Sequence, residues 1–288
     1  MVLSERYSRN VLFFGAAGQA RLSAKSVVVV GVGGIGSHVV QQLALLGVGK
    51  ITLVDDEELA ESNRNRYVTA RHSDPIPGSS KVTLGERLAG ETNPGLEVKS
   101  VAKHLQSAEA LRSIIESDYV FGCVDNDVPR VILTELCAAY AKPYFDLASD
   151  IHVKESSYGG RVCTAWDGHG CLICLRQIDL LGIQEELAGA AAREDRKAIY
   201  GMPKNDLGDS GPSVVSINGV IASLGVTEFL LAVTGIKAEP RKLLTYRANL
   251  GVVNRGQNLS AEDCYYCSAL WAKGIGAGVE QRYFQHSE

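Results

Sequence analysis

A glycine-rich run follows a short stretch of valines near the amino-terminal end of the sequence. Residues 27–30 are four valines, and the run Gly31-Val32-Gly33-Gly34-Ile35-Gly36 comes directly after them. Apolar residues then recur at helical spacing, so the glycines lie between a predicted strand and a predicted helix. Glycines let backbone N–H groups approach a phosphate at the amino end of a helix, which predicts a nucleotide-binding turn.

An acidic residue at a matching position supports this prediction. Asp55 stands 19 residues after Gly36, directly beyond the next β-branched run at residues 51–54. A carboxylate at that strand end can accept hydrogen bonds from both ribose hydroxyls of a nucleotide. The alternative is a close strand–helix crossing that needs glycine for packing alone.

Cationic residues further along the sequence bear on whether the nucleotide is ATP or a dinucleotide. ATP carries about four negative charges and binds with Mg²⁺, so its site needs several cations and a metal-binding carboxylate. Taken singly, each candidate residue also fits a solvated surface group or, for Asp125, a helix cap. The candidates are Asn63, Arg64, Asn65, Arg66, Lys81, Asp125 and Asn126.

Four of the seven cysteines form two Cys-x-x-Cys pairs, Cys171 with Cys174 and Cys264 with Cys267. Each short loop can present two thiolates to one ion, so the two pairs predict a tetrahedral zinc site. Four sulfurs close the coordination sphere, which predicts a structural ion. The alternatives are two unrelated turns or redox-active pairs; disulfides are the weaker explanation in a large chain without an export signal.

These residues lie within an alternation of predicted strands and helices. Strands are predicted at residues 27–30, 51–54, 96–101, 119–124 and 143–147. Helices are predicted after the glycine run, ending at Gly47, and at residues 81–88, 108–116 and 129–141. Such alternation predicts an α/β fold with a doubly wound, mostly parallel sheet that is covered on both faces.

The second half of the sequence departs from this pattern. Residues 159–167 predict a strand of another orientation, and residues 243–246 with 249–254 predict an antiparallel C-terminal hairpin. Residues 180–209 are charged and interrupted by glycine and proline, which predicts a long excursion with one helical piece. Residues 214–235 predict a buried helix rather than a membrane span, because Asn218, Glu228 and three glycines interrupt the apolar run.

Composition and charge exclude several classes of protein. The chain has 288 residues, 45% of them hydrophobic and 22% charged, which is enough for one large α/β domain. The formal charge of −4 argues against a nucleic-acid-binding surface. The polar start lacks the apolar core of a signal peptide, so we expect a cytoplasmic protein that does not bind membranes.

Taken together, the motifs resemble the ThiF/MoeB/HesA family, bacterial relatives of ubiquitin-activating enzymes. The resemblance covers residues 5–267 and implies one ATP-dependent adenylation domain at 1–175 and 210–270. It further implies a substrate-facing crossover loop at 176–209 and a C-terminal tail at 271–288. The motifs are Arg6-Tyr7-Ser8-Arg9, the glycine run, Asp55, Ser62 to Arg66, Lys81, Asn93-Pro94, Cys123 to Asn126, Arg130 and both cysteine pairs.

The resemblance also implies a role for each residue. Asp55 would hold the ATP ribose, and the glycine run would lie along the phosphates. Arg9 corresponds to an arginine that reaches the triphosphate from the other subunit, which implies a symmetric homodimer with two sites. The groups on the phosphates would be Asn63, Arg66 and Lys81, and Mg²⁺ would bind Asp125 with Asn126 beside it.

The implied chemistry needs no general base. A substrate carboxylate, with a pKa of about 3.5, is already ionised at neutral pH, and its difficulty is the approach to an anionic phosphate. Catalysis should therefore come from positioning and from charge neutralisation by Arg9, Arg66, Lys81 and the Mg²⁺ at Asp125. The sequence departs from the family at Tyr67, which replaces a glutamine, and in its second acid, which falls at Glu57.

The cysteines decide whether a covalent thioester is expected. Many family members carry a nucleophilic cysteine on the crossover loop, but none lies between Cys174 and Cys264. We therefore predict an acyl-adenylate without a thioester on that loop. The remaining cysteines fall in predicted strands or a helix and are expected to be buried apolar residues; they are Cys123, Cys137 and Cys163.

Two other functional classes and the substrate stay open. A nicotinamide-dependent oxidoreductase could use the same glycine run, but it leaves Arg66, Lys81, Asp125 and the zinc pairs unexplained as a set. A non-catalytic partner subunit is the second rival, and the intact Arg66, Lys81 and Asp125 argue against it. A ubiquitin-like protein, a sulfur carrier and a short peptide of antibiotic biosynthesis all present the same carboxylate, and the opening residues 5–10 resemble the peptide-activating branch.

Overall fold

The computed structural model describes residues 5–153, 155–178, 183, 212–257, 261 and 263–284. The strands are β1 (Ser26–Val30), β2 (Lys50–Val54), β3 (Glu97–Val101), β4 (Tyr119–Gly122), β5 (Tyr144–His152), β6 (Ser157–Ala165), β7 (Leu243–Arg247) and β8 (Val252–Arg255). The helices are α1 (Ser8–Ser23), α2 (Gly34–Leu46), α3 (Lys81–Thr92), α4 (Ala108–Glu116), α5 (Asp127–Ala139), α6 (Val215–Thr234) and α7 (Val279–Tyr283).

The strands form one eight-stranded sheet in the order β3-β2-β1-β4-β5-β6-β7-β8. The five strands β1 to β5 are parallel, and β6, β7 and β8 continue the sheet antiparallel. The order reverses at β1, with β2 on one side and β4 on the other, which is the doubly wound topology. This fold confirms the predicted parallel sheet with an antiparallel extension.

Each face of the sheet is buried against helices. Val27 and Val29 of β1 belong to a core with residues of α2 and α6, whereas Val28 and Val30 belong to a core with residues of α4 and α5. Successive side chains of a strand point to opposite faces, so a run of four valines is what a strand covered on both sides requires. The apolar run therefore identifies β1 as a strand that is buried on both faces.

The long apolar helix α6 lies in the protein core, as the sequence predicts. It has the length and composition of a membrane span, but half of its most apolar window is buried inside the protein. Ile221 and Phe229 are fully buried in the core cluster that also contains Phe121 and Phe145 of the sheet. Glu228 of the same helix pairs with Lys237.

Several element boundaries differ from the prediction. The helix predicted at 129–141 begins at Asp127 and ends at Ala139, and the last strand starts at Val252 because residues 248–251 form the hairpin turn. The sequence did not predict α1, whose path changes at Gly15, where φ is +74°. Most of the excursion predicted at 180–209 lies outside the described residues.

The last described residues pack on α5. Residues 274–277 form a 3₁₀ turn that leads into α7. Arg282 of α7 pairs with Glu135 of α5, and the Tyr140 hydroxyl donates to Glu280. The buried Val279 and Tyr283 join the same core cluster as α5.

Candidate functional site

The glycine run forms a tight turn between β1 and α2. Gly31 has φ +83°, and a Cβ added there would lie 2.8 Å from the carbonyl carbon and oxygen of Cys123 on the loop after β4. A Cβ on Gly36 would lie 2.0 Å from the carbonyl oxygen of Gly31. The first helical hydrogen bond of α2 runs from the Ser37 N–H to the Gly33 carbonyl, at 2.9 Å. The N–H groups before Ser37 therefore lack partners within the helix and are available to an anion.

Asp55 joins the end of β2 to this turn. One of its carboxylate oxygens accepts the Val32 N–H at 2.6 Å, and the other accepts the Glu57 N–H at 2.9 Å. Burial raises the pKa of Asp55, and the nearby Lys81 ammonium and the two backbone hydrogen bonds oppose that rise. The carboxylate is thus fixed against the glycine turn, where the sequence predicts the ribose site.

Lys81 is the first residue of α3 and is only 6% exposed. Its ammonium pairs with the carboxylate of Glu57, and its backbone N–H donates to the Glu57 carbonyl at 3.0 Å. The buried Tyr67 hydroxyl donates to the Lys81 carbonyl at 2.6 Å. A buried lysine requires such a partner, because an unpaired ammonium is costly to remove from water.

Arg66 and Asn63 belong to the turn that follows β2. Asn63 closes this turn, because its side-chain oxygen accepts the Ala60 N–H at 3.0 Å. The Arg66 guanidinium donates to the Ser62 carbonyl at 2.6 Å. The Cδ of Arg66 lies 3.5 Å from the position of a Cβ on Gly34, so this side chain runs along the glycine turn.

Asp125 and Asn126 lie on the loop between β4 and α5. Both are exposed, and the Asn126 amide lies 3.4 Å from the Asp125 carboxylate. Asn126 is the amino-terminal cap residue of α5, but its side chain makes no capping hydrogen bond. The loop begins at Cys123, whose N–H donates to the Val30 carbonyl at 2.8 Å, and it therefore starts beside the glycine turn.

Arg9 is the one predicted site residue that the structure does not bring to this edge. It is exposed on α1, two residues after Tyr7. The Tyr7 ring packs against Gly47, which caps the carboxyl end of α2. The 13 residues of α2 span about 18 Å. Arg9 therefore lies toward the end of α2 that is remote from its own glycine turn.

A buried charge cluster beside the Asp125 loop was missed in the sequence. Asp146 of β5 is fully buried and contacts two guanidiniums, with Arg130 Nε at 3.2 Å and Arg161 closer still. The Tyr144 hydroxyl donates to the same carboxylate at 3.0 Å, and burial together with Asp146 raises the pKa of Tyr144 well above its usual value. The only signal in the sequence was an acid between the apolar residues of a predicted strand.

This cluster connects two parts of the molecule. Arg130 also donates to the Val124 carbonyl at 2.7 Å, which holds the loop that carries Asp125. Arg161 donates to the Gln177 carbonyl at 3.4 Å, shortly after the first cysteine pair. The Asp146 carboxylate is therefore shared between the Asp125 loop and the segment that follows the first cysteine pair.

The four paired cysteines converge as the sequence predicts. Their sulfur atoms all lie within 4.8 Å of one another. Three of the sulfur–sulfur distances are 3.9 Å for Cys171–Cys174, 3.8 Å for Cys171–Cys264 and 3.7 Å for Cys174–Cys267. Tetrahedral zinc with Zn–S bonds of about 2.3 Å requires sulfur–sulfur edges of about 3.8 Å. The donor set therefore fits a Cys₄ zinc site.

The four thiols also affect one another's protonation. A hydrogen bond from the Cys171 thiol lowers the pKa of Cys267 to about 4, while that hydrogen bond and burial raise the pKa of Cys171. Without a metal, one thiolate is thus stabilised at the expense of its neighbour. A divalent ion removes this conflict because it binds all four sulfurs as thiolates.

The other three cysteines are not part of this cluster. Cys137 and Cys163 are buried, and Cys123 is partly buried. Burial raises the pKa of Cys163 to about 12 and raises the pKa values of Cys123 and Cys137 as well. These thiols are therefore protonated at neutral pH and poor nucleophiles, which agrees with their predicted role as apolar residues.

Comparison with known proteins identifies similar sequences. The family model described as "ThiF family" matches residues 7–265. Protein HesA of Leptolyngbya boryana is 30% identical over 213 residues, which cover 69% of this chain and 74% of that protein. The SAMP-activating enzyme E1 of Haloferax volcanii is 31% identical over 173 residues, covering 59% of this chain and 61% of that enzyme.

Longer relatives and solved structures match as well. The adenylyltransferase and sulfurtransferase MOCS3 of Drosophila ananassae is 34% identical over 163 residues, covering 55% of this chain and 36% of that protein. The chain thus spans about a third of the length of that relative. A crystal structure of Escherichia coli MccB with MccA-N7isoASN superposes with a TM-score of 0.73 at 21% identity, over 92% of this chain and 75% of that one. This likeness concerns the fold.

Proposed function

Because the chain belongs to the ThiF family, we propose that it uses ATP to activate the C-terminal carboxylate of a ubiquitin-like or sulfur-carrier protein. The product is an acyl-adenylate, and pyrophosphate is released. The observation that carries this proposal is the approach of Asp55, Arg66 and Lys81 to the glycine turn at one edge of the sheet.

Each of these residues contacts a different part of the nucleotide. The glycine turn and the free N–H groups of α2 take the phosphates, and Asp55 takes the ribose hydroxyls. Lys81 exchanges Glu57 for a phosphate oxygen when the nucleotide binds. This exchange is possible because the Glu57 side chain is largely exposed, so water can solvate its carboxylate once Lys81 has left it. The further phosphate contacts come from Asn63 and Arg66.

The exposed Asp125 carboxylate, with Asn126 next to it, supplies the oxygen ligands that Mg²⁺ prefers. When bound, Mg²⁺ neutralises charge on the phosphate oxygens. The loop that carries Asp125 is anchored by Arg130, which donates a hydrogen bond to the Val124 carbonyl. The loop is therefore fixed while the carboxylate stays open to solvent and to a metal.

The reaction requires no proton transfer by the protein. The ionised substrate carboxylate attacks the α-phosphorus, a new P–O bond forms, and the bond to pyrophosphate breaks with its electron pair on the leaving oxygen. The role of Arg66, Lys81 and the metal is to lower the repulsion between the two anions. No thiol is needed, and the raised pKa values of Cys123, Cys137 and Cys163 agree with an acyl-adenylate that passes directly to another acceptor.

We further propose that the active unit is a homodimer in which Arg9 serves the site of the second copy. Arg9 lies away from the glycine turn of its own chain. Leu12 and Phe13, on the same helix, are 79% and 63% exposed. A second copy that covers these side chains would carry Arg9 with it and complete two equivalent sites.

The Cys₄ cluster has a structural role in this proposal. A zinc ion bound by four sulfurs has no open position for a substrate. It ties the turn after β6 to the turn before α7 and so fixes the start of the crossover. All seven cysteines are unpaired, which is the state that a reducing compartment such as the cytoplasm maintains.

Two measurements test the proposed function in order. MgATP should raise the melting temperature and NADH should not, because a ligand stabilises the state that binds it. Radiolabelled pyrophosphate should then exchange into ATP only when a suitable carboxylate is present. Stabilisation by NADH alone would support an oxidoreductase instead. Tight MgATP binding without exchange for any small protein or peptide would support a non-catalytic subunit.

The exchange assay also identifies the substrate class. A short peptide presents the same carboxylate as a folded carrier protein, and MccB, whose fold this chain shares, has been crystallised with MccA-N7isoASN. Exchange with a peptide and not with a folded carrier would assign the chain to peptide activation. The reverse result would assign it to carrier-protein activation.

A further inference from the structure

Asn218 lies beside the glycine turn although it belongs to a distant part of the sequence. It is in the first turn of α6 and is 1% exposed. Its amide nitrogen lies 2.5 Å from the position that a Cβ on Gly34 would occupy. Gly34 is the first residue of α2, so the two helices begin side by side.

The partners of the Asn218 amide leave one hydrogen available. The amide nitrogen donates to the Ser213 hydroxyl at 3.0 Å, and Ser213 lies 3.5 Å from the amide oxygen. A carboxamide nitrogen carries two hydrogens. Among the described residues, Ser213 is the only acceptor for this nitrogen. The second N–H is therefore available at the amino end of α2.

An unsatisfied amide N–H at this buried position destabilises the folded protein unless a ligand accepts its hydrogen bond. Most of α6 is apolar, and its neighbour Ile221 is fully buried. Burial of an unsatisfied polar N–H costs about 1–3 kcal/mol in proteins, so an apolar side chain would serve packing better. Arg66, a phosphate candidate, also lies at Gly34, with its Cδ 3.5 Å from the same Cβ position.

We propose that Asn218 donates a hydrogen bond to a phosphate group of ATP bound at the amino end of α2, near Arg66. This assignment rests on the proposed function. It adds a neutral donor from α6, the helix that follows the crossover, to the charged donors Arg66 and Lys81. It also explains Gly34, since any side chain there would displace the amide from this position.

The test compares nucleotides with and without phosphate in purified full-length variants. Asn218→Leu keeps the approximate shape of the side chain and removes the donor, and Asn218→Ala is a second variant in case leucine packs poorly. The exposed Ser216 lies two residues earlier on the same helix, and Ser216→Ala is the matched control. MgATP affinity is measured by calorimetry, and adenosine affinity by displacement of a fluorescent ATP analogue.

We expect both Asn218 variants to bind MgATP about tenfold more weakly, which is the usual effect of losing one hydrogen bond to a charged group. Adenosine affinity should stay near wild type, as should every property of Ser216→Ala, and Asn218→Leu should not lower the melting temperature without ligand. Unchanged MgATP affinity in the variants, or equal weakening of adenosine and MgATP, would overturn the assignment and leave the proposed function intact. Failure of the wild-type protein to bind MgATP would overturn both.

Discussion

Two regions of the molecule, the Cys₄ cluster and the proposed nucleotide edge of the sheet, are built in opposite ways. The nucleotide edge comprises the glycine turn, Asp55, Arg66, Lys81 and Asp125. In the cluster, four like groups are mostly buried and lie within 4.8 Å of one another. At the nucleotide edge, the charged groups are of different kinds, and their exposure ranges from 6% at Lys81 to the solvent-exposed Asp125. The cluster needs only an ion to be complete. The edge is complete only with a nucleotide and, in our proposal, a second copy of the chain.

This difference supports the structural role that we propose for the cluster and the catalytic role that we propose for the edge of the sheet. The glycine turn and Asp55 are already fixed by backbone hydrogen bonds and close packing. Lys81 has a replaceable partner in Glu57, and Arg66 is held by the Ser62 carbonyl. In our proposal, the parts that bind the nucleoside are therefore fixed in advance, and the charged groups can exchange partners as charge moves during the reaction.

Loss of one cluster cysteine should have the largest effect on stability. Cys264→Ser removes one thiolate from a site whose metal binding is coupled to folding. We expect loss of stoichiometric zinc and a fall in melting temperature of about 10 °C or more. Metal analysis and calorimetry measure both. Cys137→Ala, outside the cluster, should retain the metal, and full zinc content in Cys264→Ser would contradict a Cys₄ site.

The Asp146 cluster should have the next largest effect, because it joins the two regions. Asp146→Asn removes the carboxylate partner of the largely buried Arg161 and leaves Arg130 with Asp127 alone, which should cost about 3–5 kcal/mol of unfolding free energy. MgATP affinity should fall too, since Arg130 holds the Asp125 loop. Urea unfolding tests this against Asp150→Asn, an exposed acid on the same strand. Equal stability of the two variants would show that the regions are independent.

Asp74, on the segment between β2 and α3, gives the stability of the protein a predicted pH dependence. Two hydrogen bonds from Arg87, at 2.5 and 2.8 Å, lower the pKa of Asp74 to about 2. A lowered carboxyl pKa stabilises the folded protein above the ordinary pKa near 4, and the stabilisation is lost as the pH falls toward 2. Asp74→Asn should therefore cost about 1 kcal/mol at pH 7, and less at pH 3.

Denaturant unfolding at both pH values checks this sign. Asp56→Asn, an exposed acid on the same segment, is the control and should change stability little at either pH. A difference between wild type and Asp74→Asn that grows as the pH falls would contradict the assigned role of Arg87.

The smallest expected effect is at Tyr67. Tyr67→Phe removes only the hydroxyl that donates to the Lys81 carbonyl, so it should cost about 1 kcal/mol of unfolding free energy. MgATP affinity should fall by less than about fivefold, because the Lys81 ammonium itself remains. Loss of MgATP binding as complete as in a Lys81 variant would mean that Tyr67 contacts the nucleotide directly.

Local patterns explain what the sequence could predict. Strands buried on both faces need unbroken apolar runs, which is why residues 27–30 identified β1. The spacing within each Cys-x-x-Cys pair predicts that its two sulfurs can bind the same metal ion. Asp55 and Asp125 follow strands that end at one edge of a parallel sheet, and so their proximity followed from the fold.

Contacts between distant segments explain what the sequence could not predict. Asp146 looks like an isolated acid in a strand until Arg130 and Arg161 approach it from neighbouring elements. Asn218 meets Gly34 only because α6 packs beside α2. Residues 8–23 carry no clear helical stripe, so α1 was not predicted; its position depends on packing against α2 and α6.

The central claim is that side-chain cations at this edge act on a triphosphate. Substrate-dependent ATP–pyrophosphate exchange by Lys81→Ala tests it most directly, with Lys103→Ala, an exposed lysine on the surface, as the matched control. We predict that exchange falls at least about 100-fold in Lys81→Ala, and likewise in Asp125→Ala, while the control keeps wild-type activity. Wild-type exchange in Lys81→Ala would contradict the account.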